Sequence, residues 1–178
     1  MECDTININN KGMVITEENR KKDNEKIGII ATSGTIRSGA WEKKIRDNIS
    51  DVCVINEEAP LLATMAEQGW INNKVAKYTI KEYMKCFKNV DRLILGCTHY
   101  PLFEELIKKE LKRKTEIINT GVKLAEHLKK YLQEKELESD SKMKDYTIFL
   151  TDINPNFKTN AEKLLGEGLK EKIKKADI

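Results

Sequence analysis

The sequence predicts an α/β fold built on a parallel sheet, and three observations carry that prediction. The apolar runs IGIIA at 27–31 and LIL at 93–95 have the unbroken hydrophobic character of strands buried on both faces. Segments with helical spacing separate these runs. Each run also ends in small or polar residues, Thr32-Ser33-Gly34 in one case and Gly96-Cys97-Thr98 in the other. Strands that alternate with helices imply βαβ units with right-handed crossovers.

Residues 1–26 are polar and weakly periodic, ending in RKKDNEK, and read as a loose lead-in with a short strand at 13–16. After the strand at 27–31, Thr35 or Ser38 can cap a helix running to about Asn48. A second strand follows at 52–55. Residues 60–69 form a mostly apolar connection with one acid, Glu67. Val75, Ile80, Tyr83 and Met84 mark a helix over 73–87. The third strand, 91–95, leads to an amphipathic helix at 102–113, a short strand at 116–118 and a helix over 121–136. A polar loop (137–144), a last strand (146–150) and a last helix (156–165, closed by Gly166) complete the pattern. The Lys- and Glu-rich end is expected to be a solvated helical tail.

A chain of 178 residues is ample for a packed core. Its 32 basic and 29 acidic residues are mixed along the chain rather than blocked, which argues against a nucleic-acid surface. No apolar run approaches the ~20 residues that span a bilayer, and no N-terminal signal is visible. The four cysteines (Cys3, Cys53, Cys86, Cys97) are far apart and form no CxxC pair. Free thiols in a reducing, cytoplasmic compartment follow.

The stretch 93–103, LILGCTHYPLF, carries the most chemistry. A buried strand delivers a thiol, a hydroxyl and an imidazole to the mouth of the next helix. Ligands of open α/β sheets bind at the carboxyl ends of strands, and a helix N-terminus favours a thiolate. Cys97 therefore reads as a reactive thiol, against the alternative of a small buried hydrophobe. His99 reads as its partner or as a structural histidine. One Cys-x-His pair supplies only two ligands, too few for a metal site.

GCTHYPL resembles the second catalytic-cysteine motif of the cofactor-independent glutamate racemases, within the aspartate/glutamate racemase family. Two further stretches resemble that family in the same order. They are IGIIATSGTIRSGAW (27–41), with Ala31 for a usual Gly and Trp41 for a common Tyr, and PLLATMAEQGW (60–70), with Thr64 for a second Pro. The closing stretch 149–166 is similar as well. The resemblance implies a flavodoxin-like, three-layer lobe at 27–117. Residues 118–178 would be elements returning to a first lobe, and 1–26 a lead-in or remnant of that lobe.

By the same resemblance, Cys97 is the acid/base thiol of one face and His99 holds or activates it. Thr98 binds the substrate carboxylate, Thr35 contacts substrate, and Glu67 orients the histidine; otherwise Glu67 is a solvated loop carboxylate. The implied activity is interconversion of L- and D-glutamate without cofactor or metal, supplying D-glutamate for peptidoglycan. His99 and the pair Gly69–Trp70 favour glutamate over aspartate as the small-molecule substrate.

The Asp-Ser-Gly turn, the Tyr-Gly pair and the CNT motif of the family's first lobe are missing; Cys3-Asp4-Thr5 is the nearest stretch to CNT. Cys3 stands too close to Ile27 for the family's intervening strand and Gly-rich turn, so it reads as a coincidence or a remnant rather than a working base. The second reading is therefore a catalytically incomplete fragment that at most binds a small carboxylate or a partner chain. The partner would be a complementing first-lobe chain or a homo-oligomer. A thiol enzyme of another kind, such as an acyl transferase, is the third.

Overall fold

The computed structural model describes residues 25–111, 115–139, 146–153, 161–162, 168 and 172–176. The strand expected at 13–16, and most of the helix expected at 156–165, lie outside them.

Strands β1 (Lys26–Ala31), β2 (Cys53–Glu58), β3 (Arg92–Leu95) and β4 (Glu116–Asn119) form one parallel sheet in the order β2-β1-β3-β4. In β1, Ile30 pairs with Glu57 of β2 on one side and Leu95 of β3 on the other. This central position explains the unbroken apolar run, since both strand faces need covering.

Ile27, Ile29 and Ala31 pack on one face with Ile45, Val52, Ile94 and Ile118. Ile30, Leu93 and Leu95 pack on the other with Leu62, Ile80, Phe87, Tyr100, Phe103 and Ile107. The first face is covered by the layer of α1 (Ser33–Arg37) and α2 (Ala40–Asn48). The second is covered by α3 (Pro60–Glu67), α4 (Lys74–Tyr83) and α5 (Glu104–Glu110). Each fully buried Ile, Leu or Phe stabilises by about 1.5–3 kcal/mol, so this three-layer sandwich is where the fold is held. Gly28 belongs to the close packing: a Cβ there would meet the Phe87 ring at 2.6 Å.

Several boundaries differ from the sequence reading. The first helix is two helices, broken at Gly39, whose φ of 64° suits glycine. The connection at 60–69 is mostly helix: Pro60 opens α3, where its missing N–H costs nothing. Helix α4 is capped by Asn73, whose side chain accepts from the Ala76 N–H, and passes into a 3₁₀ turn over Met84–Phe87. The charged tail is not all helical. Ile173–Lys175 forms β6, parallel to β5 (Ile148–Leu150), because Ile173 is buried with Ala161 against Ile148, Leu150 and Ile153.

Helix α6 (Thr120–Glu134) is capped by Asn119, whose side chain accepts from the Gly121 and Val122 N–H groups. The Thr120 hydroxyl donates to the Leu95 carbonyl and pins the start of this helix to β3. Val122, Leu124, Leu128 and Tyr131 of α6 are exposed.

Candidate active site

From β1 the chain moves to β2 through the α1–α2 layer, then returns across β1 to β3 through the α3–α4 layer. The direction of winding thus reverses between β1 and β3. A crevice outside the carboxyl ends of those two strands is where such sheets bind ligands. Both candidate loops leave the sheet there.

The β1 exit provides Thr32 and, within α1, Thr35; their hydroxyl oxygens lie 2.9 Å apart. At the β3 exit the Gly96 N–H still donates to the Ile30 carbonyl, which keeps the two exits side by side. A Cβ on Gly96 would lie 2.9 Å from the Ala31 Cβ and 3.3 Å from the Ile30 oxygen, so only glycine fits. Cys97 follows at once, half-buried at the edge of the α3–α5 core.

Cys97 Sγ lies 3.7 Å from His99 Nδ1, within hydrogen-bond reach for sulfur. On the other side of the ring, His99 Nε2 lies 3.6 Å from Oε1 of Glu67, the last residue of α3. A thiol, an imidazole and a carboxylate therefore stand in line, contributed by the β3 exit and the helix that follows β2. An imidazole so placed can take the thiol proton at one nitrogen while the carboxylate balances the charge at the other. Thr98 is exposed between Cys97 and His99.

The structure thus brings Cys97, His99 and Glu67 together, and places Thr35 on the neighbouring strand exit. One expectation needs correcting: the thiol does not stand at an α-helix N-terminus. A 3₁₀ turn spans Tyr100–Phe103, with Pro101 as its second residue, and α5 begins only at Glu104. The polar group within reach of the thiol in this arrangement is the His99 ring rather than a helix end.

Sequence reasoning missed Thr32, which reads as a turn residue; the T-x-x-T spacing across 32–35 was the available signal. It also missed the fully buried Tyr100, whose hydroxyl donates to the Ala59 carbonyl at 2.7 Å. Burial above all, then the negative charges available to Cys97 and Tyr83, hold this phenol well above the ordinary tyrosine range. Cys3 lies outside the described residues. Among the described residues no group of three or more His, Cys, Asp and Glu side chains could hold a metal ion, and no helix is long and apolar enough to cross a membrane.

A parallel α/β lobe therefore presents a Cys–His–Glu line and a threonine pair at its winding reversal. The chain belongs to the Asp/Glu/hydantoin racemase family, whose model matches residues 13–128. Over 151 residues it is 36% identical to a glutamate racemase of Neisseria meningitidis serogroup C, covering 83% of this chain and 56% of that protein. It superposes on a glutamate racemase isoform of Bacillus anthracis with a TM-score of 0.79 at 33% identity, covering 86% of this chain and 57% of the other. A glutamate racemase of Francisella tularensis, solved in complex with D-glutamate, gives a TM-score of 0.75 at 30% identity, with 86% and 57% covered. The chain therefore spans little more than half the length of these relatives.

Proposed function

We propose that this chain carries one catalytic face of a cofactor-independent glutamate racemase, with Cys97 as the acid/base thiol. Removing the proton from an α-carbon needs a base close to it and donors for the charge that develops on the carboxylate. His99 takes the Cys97 proton to leave a thiolate. The thiolate then takes the α-proton of glutamate and becomes a thiol again. Glu67 steadies the imidazole through this exchange, and Thr98 with the Thr32–Thr35 pair provides the donors for the substrate carboxylate. Inversion is completed when a second acid delivers a proton to the opposite face of the same carbon.

The observation that carries the reading is the line of Cys97, His99 and Glu67, with successive separations of 3.7 and 3.6 Å, at the reversal between β1 and β3. The D-glutamate in the Francisella tularensis relative supports the substrate. D-Glutamate made this way would supply peptidoglycan synthesis in the cytoplasm. The lobe boundary that goes with this reading falls after β4, at Asn119 rather than at the expected 117, with 120–178 for elements completing another.

The test is exchange of the α-proton of L- and D-glutamate in heavy water, with Cys97→Ala as control. Exchange with inversion gives two working faces and makes Cys3, or a second polypeptide, the next place to look for the other acid. Exchange of one enantiomer without inversion gives the single face proposed. Absence of Cys97-dependent exchange overturns the reading for this chain.

A further inference from the structure

His99 and Glu67 come from separate segments, and the contact between them is open to solvent; Glu67 is 64% exposed. A pair of this kind stabilises too little to set its own geometry. Something beneath it must fix where α3 stands relative to the β3 exit.

Ala59 is the fastening point. It follows β2 and immediately precedes α3, and its N–H donates 2.8 Å to the carbonyl of Ala31 at the end of β1. Its own carbonyl accepts the Tyr100 hydroxyl at 2.7 Å. Tyr100 is the residue after His99, is fully buried, and its N–H donates to the Cys97 carbonyl at 3.1 Å. The exits of β1, β2 and β3 are thus tied through one alanine by two hydrogen bonds. One of these is a side-chain bond, and it starts inside the catalytic loop.

We propose that Tyr100 is a positioning residue: by holding Ala59, its hydroxyl keeps the helix of Glu67 in register with His99 and so governs how well His99 draws the proton from Cys97. This rests on the reading of Cys97 as the acid/base thiol. Burial keeps the phenol protonated, so the bond persists wherever the enzyme works.

The test is the rate at which iodoacetamide alkylates Cys97 in the intact chain, followed by peptide mass spectrometry. The exposed Cys53 is the internal standard. Tyr100→Phe keeps the ring and removes only the hydroxyl. It is expected to slow Cys97 roughly fivefold, as is Glu67→Gln, a factor matching the loss of one solvent-exposed ion pair. The double variant should be no slower than Glu67→Gln alone, because both remove the same placement. Thr115→Val removes a comparable hydroxyl–carbonyl bond, to Val90 at the other end of the sheet, and should leave Cys97 unchanged.

Effects that multiply in the double variant, or an equal slowing by Thr115→Val, would make Tyr100 a general structural residue and overturn the proposal. Unchanged labelling in Tyr100→Phe would overturn it directly. If neither His99→Asn nor Glu67→Gln alters Cys97, the acid/base reading itself falls and this inference falls with it.

Discussion

The Glu67 carboxylate reaches His99 across two strand exits, 3.6 Å from Nε2, while Nδ1 of the same ring lies 3.7 Å from the Cys97 sulfur. The two nitrogens have different tasks. In the proposed chemistry Nδ1 exchanges a proton with the thiol, while Nε2 faces a carboxylate that is 64% exposed. The imidazole is therefore indispensable to the proposed chemistry, whereas the carboxylate tunes it.

That division predicts unequal losses. His99→Asn should lower α-proton exchange by about 100-fold or more, the scale of a lost general acid–base group. Glu67→Gln should cost only about fivefold, because a solvent-exposed ion pair contributes no more than about 1 kcal/mol. Loss of the α-proton signal of glutamate in heavy water measures both. Equal losses would mean that Glu67 acts directly on substrate rather than through the ring.

How much of this was legible in the sequence depended on the range of the forces involved. β1 and β3 were legible because strands covered on both faces must be apolar throughout. Cys97, His99 and Glu67 were picked out by motifs that resemble a family, and the fold brings them together. Helix α3 was not legible as a helix. Its buried Leu62, Met65 and Ala66 are interleaved with Leu61 and Ala63, which blurs the helical period. The 3₁₀ turn at Tyr100 and the strand around Ile173 depend on tertiary packing. So does the Tyr100–Ala59 bond, which joins residues far apart in sequence and leaves no local trace.

The crowding at the β3 exit gives a second prediction. Gly96→Ala would press a methyl group against Ala31 at 2.9 Å and the Ile30 carbonyl at 3.3 Å. Overpacking of this kind costs about 1–3 kcal/mol. Because Cys97 is the next residue, exchange activity should fall together with the urea midpoint. Adding Ala31→Gly removes the closer clash and should restore part of both; a double variant no better than Gly96→Ala would place the strain at the Ile30 carbonyl instead.

Cys86 gives a prediction about thiol reactivity. Although the residue is exposed, its sulfur faces the Tyr83 carbonyl at 3.2 Å and a Glu57 carboxylate oxygen at 3.6 Å. Desolvation, followed by the Glu57 charge, pushes the thiol up to about 12. Cys86 should therefore stay protonated at neutral pH and be alkylated far more slowly than Cys53. The raised value also sets the sign of its effect on stability. Its contribution is fully present below the unfolded thiol value of about 8.5 and is lost as pH rises from there through about 12. Cys86→Ala should flatten that alkaline decline in thermal unfolding midpoints, leaving the neutral range little changed.

Arg92 separates stability from activity. It opens β3, at the end of the sheet opposite Cys97, and its side chain is only 8% exposed. Its Nε lies 3.1 Å from a Glu25 oxygen and 3.0 Å from a Glu116 oxygen, so one guanidinium bridges the residue just before β1 and the first residue of β4. Replacing it with alanine leaves the Glu25 carboxylate, itself 14% exposed, without this cation in a poorly solvated place. Breaking such a buried arrangement costs about 3 kcal/mol. Replacement with methionine fills most of the volume and, combined with Glu25→Gln, removes the stranded charge. The expected order of urea midpoints is wild type, then Arg92→Met with Glu25→Gln, then Arg92→Ala. Exchange activity per folded molecule should be the same in all three, because nothing at the Cys97 end of β3 depends on this pair. A loss of activity that exceeds the loss of folded protein would show that the two ends of β3 are coupled after all.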